Sequence, residues 1–215
     1  MSRNFPKRSF CRHVAGNTSR VGLLALQGAF DAHGRLLRTL GAETTEVRLP
    51  AQLDDIDALV LPGGESTTLL KLIDAFAFEE PLRAFVQSGR PVLATCMGVI
   101  LLAENVTNPP QRSFGLLPVD VERNSYGRQV ESFEARSSFA GETFDLVFIR
   151  APRITRTGPG VETLLEHGGD PVLVRHGNIL AATFHPELGE CTAIHRLFLE
   201  MAKQSGRLSR ARTGA

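Results

Sequence analysis

The sequence predicts an α/β fold, a three-layer α/β/α domain around a mixed, mostly parallel sheet. Three observations carry the prediction. Apolar runs such as Val21–Gln27 and Pro91–Thr95 have the pattern of strands buried on both faces, as parallel sheets require. These runs alternate with segments whose apolar residues recur at helical spacing. Beyond about residue 117 the rhythm changes to short β-type segments with few helices between them. At 215 residues and 42% hydrophobic content the chain suits one domain with a sizeable core. That content excludes general disorder, and no apolar run approaches the length of a membrane span.

The first strand is Val21–Gln27, broken by Gly28. Residues 30–40 follow as a helix through Ala32, Leu36, Leu37 and Leu40, stopped by Gly41. Thr44–Leu49 and Ala58–Leu61 are the next strands, the latter ending at Pro62-Gly63-Gly64. Ser66 is the expected N-cap of a helix through Leu69, Leu70, Leu72 and Ile73. Pro91–Thr95 is the fourth strand, and residues 97–104 form a helix. The later β segments fall at 118–122, 130–135, 144–149, 161–166, 171–175 and 179–184, and are expected to extend the same sheet. Asn105–Phe114, with Pro109-Pro110, is expected to be a mobile surface loop. Residues 192–203 close the domain as a helix with Ile194, Leu197, Phe198 and Met201 on one face.

The expected organisation is a basic, disordered extension (1–20), one domain (21–203) and a basic, disordered tail (204–215). Residues 1–20 carry Arg3, Lys7, Arg8, Arg12 and Arg20 and no acid; residues 202–215 carry Lys203, Arg207, Arg210 and Arg212 and no acid. The overall charge of +1 therefore conceals an acidic body, which does not suit a nucleic-acid binder. An organelle-targeting peptide is the alternative for residues 1–20, and a true start near Val21 would look the same. The three cysteines (Cys11, Cys96, Cys191) cannot all pair within a monomer and show no metal-type spacing. That points to a reducing, cytoplasmic setting and to thiol chemistry.

Cys96 stands where a buried strand turns into a helix, with Gly98 easing the corner. Such a corner places a side chain at the carboxyl edge of the sheet, where open α/β folds bind ligands. The helix start favours negative charge there. Cys96 alone also reads as an ordinary core cysteine. His185 and Glu187, two apart at the end of another strand and separated by Pro186, supply a base and an anion to hold it. Pro62-Gly63-Gly64-Glu65-Ser66 offers backbone N–H groups to an oxyanion, with the N–H of Met97 as a further donor. Read alone, it is also a tight turn that needs glycine.

These residues carry a family resemblance. The segments are Leu24-Ala25-Leu26-Gln27-Gly28, Leu61 to Thr68, Thr95-Cys96-Met97-Gly98, Val121-Glu122-Arg123-Asn124-Ser125, Phe148 to Pro152 and Phe184 to Leu188. In this order they resemble the class I, triad-type glutamine amidotransferases, a flavodoxin-like α/β group. More narrowly, they are similar to the glutaminase subunits of pyridoxal 5′-phosphate synthase. The resemblance spans roughly residues 21–202. It implies hydrolysis of L-glutamine to glutamate and ammonia, with Cys96 as nucleophile and His185 and Glu187 completing a triad. It implies glutamine contacts from Gly64, Glu65, Ser66, Arg123, Ile149 and Arg150. Arg123 or Arg150 suits the α-carboxylate and Glu65 the α-ammonium group. It implies no metal and no bound cofactor, pyridoxal 5′-phosphate being the product of the complex. It implies a synthase subunit as partner, receiving the ammonia.

Three residues depart from the usual pattern: Ala94 replaces Gly, Met97 replaces a smaller residue, and Tyr126 replaces Phe. The Ala94 methyl is expected to crowd the corner. Two rival readings remain: the glutaminase of another amidotransferase, such as imidazole glycerol phosphate synthase, or a non-catalytic regulatory or scaffolding subunit. His33, on the first helix, is expected to be a surface group. His195 has no evident partner. Cys191 is expected to pack near the last helix.

Overall fold

The computed structural model describes residues 19–123, 125, 133–189 and 192–213. Cys11, Asn124, Tyr126 and Cys191 lie outside the described residues, as do the extension before Ser19 and the last two residues.

The predicted sheet is present. Five parallel strands run in the order β2 (Glu43–Val47), β1 (Arg20–Leu24), β3 (Ala58–Leu61), β4 (Val92–Thr95) and β12 (Ile179–Ala182). Two antiparallel strands, β11 (Asp170–His176) and β10 (Glu162–His167), continue it beyond β12. Alternation along each central strand divides its residues between two cores. Leu24, Leu59, Leu61, Val92, Ala94, Ile179 and Ala181 face one core; Val21, Leu23, Ala58, Val60, Leu93, Leu180 and Ala182 face the other. Both faces are apolar and must be covered, which accounts for the three layers.

The first core is closed by α2 (Ser66–Ala75), α3 (Glu79–Gln87) and α4 (Met97–Leu102). The second is closed by α1 (Phe30–Thr39) and α5 (Ala193–Thr213). No element was expected at α3, although Leu82, Phe85 and Val86 are buried from it at helical spacing. The closing helix runs to Thr213, well past residue 203, so most of the expected disordered tail is helical.

The later β segments do not all extend the main sheet. The strands β5 (Ala103–Thr107), β6 (Leu117–Glu122) and β9 (Arg153–Thr157) form a separate three-stranded sheet. Its Val106, Leu117, Val119, Val121 and Ile154 pack into the first core. The strands β7 (Phe133–Phe139) and β8 (Glu142–Phe148) form a hairpin whose Phe144, Leu146 and Phe148 pack into the second. Each small sheet buries one face against the body instead of adding to an edge.

Candidate active site

Strand order brings the site together. β4 lies between β3 and β12, in parallel with both, with Ala94 opposite Leu61 and Thr95 opposite Ala182. Their carboxyl ends therefore deliver Cys96, the Gly63-Gly64 turn and His185 to one point. The backbone N–H of Cys96 donates to the Ala182 carbonyl at 2.8 Å. The backbone N–H of His185 donates to Val147 of β8 at 2.9 Å, which brings Ile149 and Arg150 to the same place.

Cys96 has φ 47° and ψ −101°, a strained backbone for a residue with a side chain. Such a conformation costs on the order of 1–3 kcal/mol and persists because the surroundings impose it. Gly98 makes the corner possible, since a Cβ there would lie 2.5 Å from the Leu61 carbonyl oxygen. The expected crowding by Ala94 is relieved at the same spot. Its fully buried methyl lies where a Gly98 side chain would approach within 3.3 Å. Cys96 itself is 5% exposed, and Sγ is 3.9 Å from the Ile149 carbonyl oxygen.

The imidazole of His185 hydrogen-bonds with Glu187 and faces the Cys96 thiol across the cavity they both line. Its Nδ1 is 2.7 Å from Glu187 Oε1, so Nδ1 carries the hydrogen and Nε2 is left for the thiol. Burial lowers the His185 pKa, but hydrogen bonds and charge from Cys96 and Glu187 outweigh it and raise it to about 10. Burial raises the pKa of Glu187, and the neighbouring His33 and His185 more than reverse this, so its carboxyl stays ionised. This arrangement sets a buried base between the thiol and a carboxylate that stabilises the base's protonated form, suited to accepting a thiol proton.

A small cavity opens beside the thiol, lined by Gly64, Glu65, Ser66, Cys96, Ile100, Arg123, Ile149, Arg150 and His185. All six expected glutamine contacts are among these residues. Ile100, on α4, was not anticipated. Gly63 lies buried behind the lining, where a Cβ would stand 2.4 Å from His185 Cε1. Met97 is the first residue of α4, so its N–H has no partner within the helix and is available to an oxyanion.

Glu65, not Ser66, caps α2. Its carboxylate accepts from the N–H groups of Thr67 (2.9 Å) and Thr68 (2.6 Å), and these contacts take its pKa to about 2. A glutamate reaches two N–H groups ahead of it, whereas Ser66, within the helix, turns its hydroxyl to Gln111 at 2.8 Å. That bond also pins the predicted mobile loop, as do Arg112 to Asp74 (2.5 Å) and Arg83 to the Phe114 carbonyl (2.7 Å). Gln27 clamps the glycine turn from the other side, accepting from the Glu65 N–H and donating to its carbonyl, both at 3.2 Å. His33 and His195 are fully buried, and His33 contacts Glu187. His33 lies one turn before the buried Leu37, a spacing that placed it on the inner face of α1. Among the described residues, no group of three or more His, Cys, Asp or Glu is arranged to hold a metal ion.

Residues 23–204 match the model of the SNO glutamine amidotransferase family. The chain belongs to this family. It is 52% identical over 186 residues to the pyridoxal 5′-phosphate synthase subunit PdxT of Koribacter versatilis, covering 86% of this chain and 96% of that protein. It is 50% identical over 187 residues to PdxT of Thermotoga neapolitana, covering 86% of this chain and 100% of that one. A crystal structure of a glutamine amidotransferase, 48% identical, superposes with a TM-score of 0.79 over 85% of this chain and 98% of that one. The fold is thus that of the class I glutamine amidotransferases, and the segments quoted above belong to a SNO-family member.

Proposed function

We propose that this chain hydrolyses L-glutamine to L-glutamate and ammonia through Cys96, His185 and Glu187, and delivers the ammonia to a pyridoxal 5′-phosphate synthase subunit for vitamin B6 biosynthesis. One observation carries the residue assignment: Cys96 and His185 open onto the same cavity as Gly64, Glu65, Ser66, Arg123, Ile149 and Arg150. The identity to PdxT proteins over nearly their whole length supports the substrate and the partner.

His185 Nε2 takes the Cys96 proton, and the thiolate adds to the carboxamide carbon. Backbone N–H groups of Gly64 and Met97, with the Gly63 turn placing the first, receive the oxyanion. His185 returns its proton to the nitrogen as the C–N bond breaks, and ammonia leaves. Water then adds to the glutamyl thioester, giving a proton to His185. The C–S bond breaks, the thiol is restored and glutamate departs. Arg123 and Arg150 hold the α-carboxylate of the substrate. Glu65 faces the α-ammonium group with lone pairs not used in capping α2. This sequence of steps calls for no metal and no cofactor.

We infer a cytoplasmic enzyme, since a free thiol nucleophile needs reducing surroundings. Among the described residues, no helix is long and apolar enough to cross a membrane. The Gly63-Gly64 turn is clamped through Gln27 and through Ala29, whose N–H donates to the Gly63 carbonyl at 3.1 Å. We infer that docking of the synthase subunit orders this turn and completes the site. The test is glutamate release by wild type and Cys96→Ala, each with and without the synthase subunit. Activity in Cys96→Ala would overturn the nucleophile. Equal wild-type rates with and without the synthase would overturn activation by docking.

A further inference from the structure

Behind the proposed triad, three elements and the Glu187 segment meet in a buried polar cluster. His33 on α1, Thr95 at the end of β4 and His195 on α5 are each 0% exposed. His33 Nε2 lies 3.2 Å from Thr95 Oγ1 and 3.2 Å from Glu187 Oε2. Its Nδ1 lies 2.9 Å from His195 Nε2. Glu187 therefore has an imidazole on each oxygen: His185 on Oε1 and His33 on Oε2.

The hydrogens on this chain follow from its acceptors. Glu187 Oε2 belongs to an ionised carboxylate, is buried and has no hydrogen-bond partner among the described residues; His33 Nε2 approaches it at 3.2 Å as a polar contact outside hydrogen-bond geometry. A bare ring lone pair at 3.2 Å would repel it, so His33 carries its hydrogen on Nε2, between Thr95 and Glu187. The Nδ1 of a neutral His33 must then accept, and His195 must donate from Nε2. That leaves His195 Nδ1 as a lone pair, and it is the imidazole nitrogen that has no partner among the described residues. The opposite assignment strands a buried N–H at that nitrogen, a costlier group to leave unpaired than a lone pair, and also sets a lone pair against the carboxylate.

Both imidazoles are held neutral. Burial lowers the pKa of His33, with Glu187 opposing and His185 reinforcing. Burial and then His33 bring His195 down to about 3, against Glu187. These four groups are the titratable ones that face one another here.

We propose that His33 is a positioning residue for glutamine hydrolysis: held in its Nε2–H tautomer by His195, it fixes the second oxygen of Glu187 and thereby the carboxylate that orients His185. This rests on the triad reading and deepens it. Without the N–H, one oxygen of a buried anion loses its close polar neighbour, and the carboxylate is free to rotate or to take up a proton. His185 then loses part of the charge that stabilises its protonated form.

The test has two arms. In the first, glutaminase activity is measured with the synthase subunit across pH for wild type, His33→Leu, His33→Gln and Cys96→Ala. Leu removes the donor; Gln places an amide N–H near the former Nε2. Expected for His33→Leu is a kcat lower by roughly tenfold, from the loss of a polar contact to a buried charge. KM for glutamine is unchanged, and the alkaline limb of kcat/KM moves to lower pH. His33→Gln recovers most of the rate and the limb. Wild-type kcat in His33→Leu, or a His33→Gln as slow as His33→Leu, overturns the proposal. The second arm needs no variant, so it stands even where His33→Leu does not fold. Ring ¹⁵N shifts of the wild-type chain should show both His33 and His195 neutral and protonated on Nε2 from about pH 6 to 9. A His33 protonated on Nδ1, or titrating in that range, overturns the proposal. Activity surviving in Cys96→Ala would instead sink the triad reading and leave the tautomer result intact.

Discussion

Replacing Gly63 with alanine tests the geometry most directly, because the added atom meets the imidazole and little else. A Cβ at Gly63 would stand 2.4 Å from His185 Cε1, 3.0 Å from Nδ1 and 3.3 Å from Cys96 Cβ. Carbon atoms rest about 3.5–4.0 Å apart, so the ring must retreat by roughly 1 Å. It cannot do so freely, since Nδ1 is bonded to Glu187 at 2.7 Å. A displacement of about 1 Å at the reacting groups costs on the order of a hundredfold in rate, or about 2.7 kcal/mol in the barrier. The expected result for Gly63→Ala is therefore a kcat lower by about two orders of magnitude, with a loss of about 1–3 kcal/mol in stability from the overpacking. Glutamate release, measured with saturating synthase subunit and glutamine, reads the first; a melting curve reads the second. A folded Gly63→Ala enzyme within about twofold of wild-type kcat would refute the placement of Gly63 against the imidazole.

Gly98→Ala should act on stability first. Its Cβ would stand 2.5 Å from the Leu61 carbonyl of a central strand, an overpacking expected to cost about 1–3 kcal/mol in urea unfolding; wild-type stability would contradict the tight corner. Ala94→Gly should lower stability by about 1 kcal/mol through backbone entropy and lost burial while leaving kcat unchanged or raised; a large loss of activity would mean that the methyl supports the corner. Glu65 should contribute a pH-dependent stability. Its pKa is depressed from 4.5 to about 2, so the contribution is present above pH 4.5 and is lost as pH falls through about 2. In Glu65→Gln that part of the acid dependence should disappear, and an acid unfolding curve identical to wild type would show the cap to be idle.

The parts of the site that sequence alone disclosed are those governed by one chain segment at a time. Cys96 at a strand-to-helix corner, His185 and Glu187 two apart at a strand end, and Gly63-Gly64 after a third strand are all local patterns. Their convergence was not local. It depends on β12 lying beside β4, although more than eighty residues separate them in sequence. His33, Thr95 and His195 were missed for the same reason, each being a polar residue whose role exists only where α1, β4 and α5 meet. The overlooked strands have a different cause. β9 (Arg-Ile-Thr-Arg-Thr) buries only Ile154, and β5 follows a buried–exposed–exposed–buried pattern, so neither shows the alternation that marks a strand.

The two halves of the site are built on different foundations. The reacting groups stand at the ends of strands in the seven-stranded sheet, between the two cores. The residues assigned to the substrate's α-carboxylate do not. Arg123 follows β6, and Ile149 and Arg150 follow β8, which belong to the two small sheets packed on the body by one face. Arg150 is itself in the left-handed region, at φ 46°. Binding and chemistry should therefore separate under mutation. Arg123→Ala and Arg150→Ala each remove a charge-assisted contact worth about 1.5–3 kcal/mol, which predicts a KM for glutamine roughly tenfold to a hundredfold higher. Because that contact is present before and during the reaction, kcat should change far less than KM. Gly63→Ala should do the reverse. If either arginine variant lost kcat as severely as Gly63→Ala at unchanged KM, the substrate side would be part of the reacting machinery, and the division between core strands and small sheets would not be a division of labour.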